Sequence, residues 1–272
     1  MEKTTPQISV QAFRKTIWQR YRTHKRDLPW RKIRDPYKIL VSEIMLQQTQ
    51  VPRVVPKYLS FLKRFPTTEA LAKAALAEVL AEWQGLGYNR RGVYLKKCAE
   101  KVEKDFKGRF PRDYKLLTSL PGIGPATAGD ILAFAWNIPV PLIETNIRSV
   151  FIHFFFGDKE KISDREILPL IERTLDRKNP REWYWALFDY GSYLKETRNP
   201  SRKSAHHANQ SRFEGSHRQK RSKILKLLLE KPRSGKELLK LSDLPEKTLG
   251  RILADYGKEG VVAERKGIFV IQ

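Results

Sequence analysis

The chain has 272 residues, 40% hydrophobic and 31% charged, long enough to bury a sizeable core as one large unit plus a smaller one. Lysine and arginine number 53 against 30 acids, a formal charge of +23 that favours a polyanionic partner, nucleic acid first. The single Cys98 excludes an internal disulfide and any multi-cysteine zinc or iron–sulfur centre. No apolar run is long enough to span a bilayer, and Met1–Pro6 lacks the apolar core of a signal peptide, so a cytoplasmic, nucleoid-associated protein is expected.

Ile8, Phe13, Ile17, Trp18 and Tyr21 recur at helical spacing and predict a helix over 8–23. Further helices are predicted over 36–47, 52–64, 68–73, 76–83, 89–106, 113–119, 125–136, 145–156, 164–177 and 181–195. Their breaks fall at Pro or Gly, as at Phe65-Pro66, Gly85-Leu86-Gly87, Pro121-Gly122 and Pro139-Val140-Pro141. Ser163-Asp164-Arg165-Glu166 is a capping box, opening a helix expected to run to Lys178. No alternating strand pattern precedes residue 260. The fold class is therefore all-α over residues 1–197.

Between Arg198 and Lys223 eight basic residues meet one acid, Glu214, with almost no large apolar side chains. Residues 198–218 are read as a basic linker, and His206, His207 and His217 as solvated loop histidines. Residues 219–272 form a second domain, with helices over Arg221–Glu230, Gly235–Leu241 and Pro245–Glu259. A hairpin of Val261–Glu264 and Ile268–Ile271 about Arg265-Lys266-Gly267 closes it. Three helices and a hairpin make a winged helix, a module that meets DNA through its third helix or packs against protein.

The chemistry concentrates at three places. Glu43 lies in an amphipathic helix ending in the uncharged cluster Gln47-Gln48-Thr49-Gln50. Leu120-Pro121-Gly122-Ile123-Gly124 ends one helix and opens another, and its glycines, Gly122 and Gly124, let backbone N–H groups approach phosphate. Twenty residues on stands a second acid, Glu144, just before Asn146. Two carboxyl groups bracketing a phosphate-gripping turn suggest cleavage of a glycosidic bond on a polyanion.

From Leu28 to about Leu194 the chain resembles the helix-hairpin-helix DNA glycosylases that include endonuclease III, most nearly the MutY-type adenine glycosylases. The resemblance rests on Leu28-Pro29-Trp30-Arg31, Ser42-Glu43 through Gln50, Gly85-Leu86-Gly87-Tyr88 and the hairpin. It implies a two-lobed helical fold, with Glu43 as the acid that protonates adenine and Glu144, with Asn146, as the carboxylate facing the sugar. Arg26, Trp30, Arg31 and Leu46 would line the base pocket. Gln47, Gln48, Thr49 and Leu86 would meet the opened duplex along with the hairpin, and Tyr88 would brace it beside the reacting nucleotide.

Three departures stand out. The family's four iron–sulfur cysteines are matched by Lys195, Arg202, Ala205 and Ser211, so no cofactor is expected. Ala126 occupies the position where bifunctional relatives carry the lyase lysine, and Glu144 stands where the family usually has Asp. Lastly, a winged helix replaces the domain that recognises 8-oxoguanine. The expected partner is double-stranded DNA bearing a mispaired base, met by a monomer. A thymine or uracil glycosylase for G mispairs and a non-catalytic DNA-binding regulator are the alternatives.

Overall fold

The computed structural model describes residues 8–209 and 212–272. In chain order the helices are α1 (Val10–His24), α2 (Pro36–Leu46), α3 (Val51–Arg64), α4 (Thr68–Lys73), α5 (Leu76–Glu82), α6 (Arg90–Phe106) and α7 (Tyr114–Thr118). Then come α8 (Pro125–Trp136), α9 (Thr145–Phe155), α10 (Asp164–Thr174) and α11 (Pro180–Thr197). The carboxy-terminal part holds α12 (His217–Glu230), β1 (Arg233–Ser234), α13 (Gly235–Ser242), α14 (Glu246–Glu259), β2 (Val262–Arg265) and β3 (Ile268–Ile271). Short 3-10 turns occur at Pro29–Lys32 and Pro200–Lys203. Met1–Pro6 and Ser211 lie outside the described residues. No helix among the described residues is long and apolar enough to cross a membrane.

The contacts divide the chain into two units. One takes the described residues through Leu40, Arg112–Ser119 and Ile123–Asn209. The other takes Val41–Pro111, Leu120–Gly122 and the described residues from 212 onward.

In the first unit the apolar stripe of α1 is buried through Phe13 and Ile17. The Phe13 ring lies 5.2 Å from that of Phe151 on α9 and 6.0 Å from that of Trp183 on α11, spacings at which aromatic pairs attract. Helix α11 crosses α9 at backbone contact, since a Cβ at Gly191 would lie 2.3 Å from the Asn146 carbonyl oxygen. Only glycine permits that approach. Helix α10 stops at Thr174 rather than continuing to Lys178. Asp176 accepts hydrogen bonds from the N–H groups of Lys178 (3.0 Å) and Asn179 (3.1 Å), a local turn that competes with the helix.

Part of the segment read as linker is instead built into this unit. Ile162 N–H donates to Lys203 O (2.9 Å), and Ala205 N–H donates to Ile162 O (2.8 Å). Lys203 Nζ reaches Gly157 O (2.9 Å), and Ser201 and Ser204 are buried. Backbone pairing with residues 157–162, which composition does not reveal, orders this stretch.

In the second unit, Leu76, Leu80 and Val93 of α5 and α6 share a core with Ile224, Leu225 and Leu228 of α12, and with Leu249, Ile252 and Tyr256 of α14. The carboxy-terminal elements therefore pack on the glycine-interrupted helices instead of standing apart. Their sheet has the order β1-β3-β2, with Val262 opposite Ile271 and Arg233 opposite Phe269. The strand β1 went unread because two residues carry no alternation. Helix α12 begins at His217, earlier than Arg221, because Ser216 accepts from Gln219 N–H and caps it.

Candidate active site

The second unit carries Glu43, half-buried in the last turn of α2 between buried Ser42 and Ile44. Leu46 is half-buried one turn on, and Gln47 and Gln48 project to solvent from the turn that ends the helix. Gln48 adopts the left-handed region (φ +54°), as does Tyr88 (φ +48°) in the following loop. Each such residue costs about 1 kcal/mol or more, so surrounding contacts must hold both in place.

Arg91, at the start of α6, supplies those contacts. Its guanidinium donates to the carbonyls of Ile44 (2.8 Å), Met45 (3.0 Å) and Gln47, to Leu86 and Gly87 O (both 3.1 Å), and to Thr49 Oγ1 (3.1 Å). One side chain thus ties the end of the Glu43 helix to the Gly85–Tyr88 loop. Burial lowers its pKa to about 10, which leaves it charged at neutral pH. Arg91 escaped the sequence reading. The Asn89-Arg90-Arg91 run directly after the glycine loop was the available signal.

Leu86, one of the expected DNA contacts, lies inside this clamp. Leu86 is only 3% exposed, and its carbonyl accepts from Arg91 and from Thr49 (3.4 Å). Thr49 is half-buried by the same clamp. Gln47, Gln48 and Tyr88 retain exposed or half-exposed side chains, and the Tyr88 hydroxyl accepts from Arg218 Nη1 (2.7 Å).

In the hairpin, Leu120 and Ile123 are buried while Gly122 and Gly124 face solvent. Gly122 sits at φ +78°, where a Cβ would lie 2.8 Å from that of Tyr94. Gly124 caps α8 ahead of Pro125, with open space above it. The positive end of α8 and its N–H groups therefore stand unobstructed, a geometry suited to phosphate. Ala126, half-buried at the second position of α8, carries no amine.

The first unit carries Glu144, which caps α9. Its Oε1 accepts from Ile147 N–H (2.8 Å) and its Oε2 from Asn146 Nδ2 (3.2 Å). The longer side chain thus does what a capping Asp does elsewhere, which accommodates the extra methylene. Burial raises its pKa; hydrogen bonds from the Asn146 and Ile147 N–H groups and the charges of Arg148 and Lys195 oppose that rise. Asn146 orients the carboxylate.

Arg26, Trp30 and Arg31 stand in the same unit, with Trp30 buried in the 3-10 turn. Both arginines turn to Asp189 of α11, Arg26 through Nε (2.5 Å) and Arg31 through Nη1 (2.8 Å) and Nη2 (2.7 Å). Burial pushes the Asp189 pKa up, but the hydrogen bond and charge of Arg31 and the charge of Arg26 outweigh it and hold the carboxyl below its usual range. Asp189 also escaped the sequence reading, although a lone acid directly after the apolar Trp183–Phe188 stretch of α11 signals a buried ion pair. Among the described residues no group of three or more His, Cys, Asp or Glu side chains is placed to hold a metal ion.

Residues 41–174 match the HhH-GPD superfamily of base excision DNA repair proteins. The chain is 37% identical over 180 residues to the adenine DNA glycosylase of Buchnera aphidicola subsp. Baizongia pistaciae, covering 65% of this chain and 50% of that protein. It is 36% identical over 202 residues to the thymine/uracil-DNA glycosylase of Pyrobaculum aerophilum, covering 71% of this chain and 87% of that one. A solved thermostable thymine-DNA glycosylase superposes with a TM-score of 0.63 at 26% identity, covering 71% of this chain and 90% of its own. Against three of the curated adenine DNA glycosylases it matches, the chain spans 50% to 61% of their length.

Proposed function

Because this chain belongs to the HhH-GPD superfamily of base excision DNA repair proteins, we propose that it is a monofunctional DNA glycosylase that removes adenine mispaired with G or 8-oxoguanine. The observation that carries the reading is the half-buried Glu43 at the end of a helix whose terminus Arg91 clamps to the Tyr88 loop. Excision needs the base out of the stack. Glu43 then donates its proton to the adenine ring, the C1′–N9 bond breaks, and its electron pair leaves with the base. The sugar left behind is cationic, and the Glu144 carboxylate, oriented by Asn146, stabilises it until water attacks C1′ and gives up a proton to solvent, leaving the C1′ hydroxyl. The hairpin holds the backbone phosphate through Gly122, Gly124 and the positive end of α8.

With Ala126 after the hairpin, no amine is available there to attack the sugar, and an abasic site is the final product. The protein works without an iron–sulfur cluster, since Lys195, Arg202, Ala205 and Ser211 offer no thiolate. The pairing of residues 203–205 with Ile162 orders the corresponding stretch instead. The carboxy-terminal elements act as a winged helix, and the protein meets double-stranded DNA as a monomer in the nucleoid.

A second reading, excision of thymine or uracil opposite G, is favoured by one observation. The chain covers 87% of the Pyrobaculum thymine/uracil-DNA glycosylase but 50% of the Buchnera adenine enzyme. Duplexes carrying A opposite G or 8-oxoguanine, and T or U opposite G, decide between them after alkaline cleavage of abasic sites. Breaks at adenine support the first reading, breaks at T or U replace it with the second, and binding without breaks overturns both. Borohydride trapping should yield no covalent protein–DNA adduct, and an adduct would contradict the monofunctional assignment.

A further inference from the structure

Helix α14 has two unlike faces. Leu249, Ile252 and Tyr256 bury one of them in the core shared with α12, α5 and α6. The other carries Lys247, Gly250, Arg251, Ala254, Gly257 and Lys258, all exposed. At 3.6 residues per turn these six fall within roughly a third of the circumference. Glu246 stands at the edge of the stripe in the first turn, and no acid lies within it. Asp255 and Glu259 lie on the flank, where Arg221 approaches the first at 3.6 Å and pairs with the second at 2.5 Å. Among the described residues Lys247, Arg251 and Lys258 pair with no acid.

The two glycines have no reason within the chain. Glycine inside a helix costs stability relative to alanine, and neither backbone is left-handed. A Cβ at Gly250 would meet nothing within 4 Å, and one at Gly257 only Val262 O at 3.9 Å, an ordinary contact. With Ala254 between them they leave one edge of the stripe nearly bare, so that another surface can lie against the helix backbone. Three unpaired cations beside that edge select a polyanion, and the stripe offers no large apolar side chain to a protein or a lipid. The B-DNA major groove, about 12 Å wide, admits a helix, whereas that of A-form RNA is too narrow. No amide side chain on the stripe is available to pair with a base edge, so its contacts hold backbone.

We propose that the exposed face of α14 seats in the major groove of duplex DNA flanking the mispair. Lys247, Arg251 and Lys258 meet phosphates, and the glycine edge lies against the groove, so the hold is independent of sequence. The carboxy-terminal elements thereby lengthen the stretch of duplex that the enzyme grips. This rests on the DNA glycosylase reading above.

The test is fluorescence anisotropy of the full chain over a salt series, on two duplexes with the same mispair, one of roughly a single helical turn and one of roughly three turns. The variants are the triple Lys247→Gln, Arg251→Gln, Lys258→Gln and the single Gly250→Leu, each with its thermal midpoint. Glutamine and leucine are good helix formers and position 250 has open space above it, so neither midpoint should fall. On the long duplex the triple variant should lower the log–log salt slope by about 2–3, at about 0.9 per phosphate, and weaken binding by about tenfold or more at low salt. Gly250→Leu, which removes no charge, should weaken binding to the same duplex. The short duplex should be bound and cut alike by all three proteins. Unchanged slope and affinity on the long duplex, or equal losses on both lengths, would overturn the assignment and leave the glycosylase reading intact. Wild-type protein that cuts neither duplex, yet grips the long one through the stripe, would overturn the glycosylase reading and leave this face standing.

Discussion

At the scale of single residues the two acids differ in environment, and that difference is testable. Glu144 is held by a cap and two N–H donors, yet burial keeps its pKa raised. Its charged form is therefore lost as pH falls through a value above the ordinary glutamate range, and the acid limb of the excision rate should lie correspondingly high. A limb at an unperturbed glutamate value would contradict this. Glu144→Asp keeps both charge and cap and should retain activity within about tenfold, whereas Glu144→Gln, which loses the charge, should lose roughly 100-fold or more. Equal losses would show that Glu144 matters only as a cap. Asp189 runs the other way. Its lowered pKa contributes stability above the unfolded value of about 3.9, lost as pH falls through the lower folded value. Asp189→Asn leaves the buried Arg31 without its anion and should cost about 3–5 kcal/mol in urea unfolding; a loss under about 1 kcal/mol would mean that water takes over the pairing. Glu43 and Glu144 were readable because each sits inside a local pattern. Arg91 and Asp189 were not, because their partners lie far along the chain, Arg91 47 residues from Ile44 and Asp189 158 from Arg31.

Among elements, the hairpin is tightly constrained. Gly122→Ala must place a Cβ at φ +78° and within 2.8 Å of the Tyr94 Cβ, so it should destabilise by more than about 1 kcal/mol and weaken DNA binding. A fully stable variant with unchanged affinity would show that the turn relaxes freely. The docking of α12 makes a second claim. Ile224→Ala, in a core that joins α5 and α6 to the carboxy-terminal helices, should cost about 2–5 kcal/mol and broaden or split the melting transition. Helices were legible almost throughout, since apolar spacing with Pro and Gly breaks is a local signal. Two things were hidden: the end of α10, set by the Asp176 turn, and the order in residues 198–205, set by pairing with Ile162. Both depend on contacts that composition does not encode.

For the whole molecule, a charge of +23 favours any polyanion, so affinity for DNA alone would say little about its task. What separates a repair enzyme from a general DNA binder is a broken glycosidic bond that depends on one carboxyl group. The proposed function gives that part to Glu43, whose helix end the arginine clamp holds. The most direct measurement is single-turnover release of free adenine from a duplex with A opposite 8-oxoguanine, comparing wild-type protein with Glu43→Gln. The expected result is release by the wild type and a loss of roughly 10²–10⁴-fold in the variant, with DNA affinity unchanged. Equal release by both proteins, or none by the wild type under conditions where it binds, would contradict the assignment of Glu43 as the acid of an adenine glycosylase.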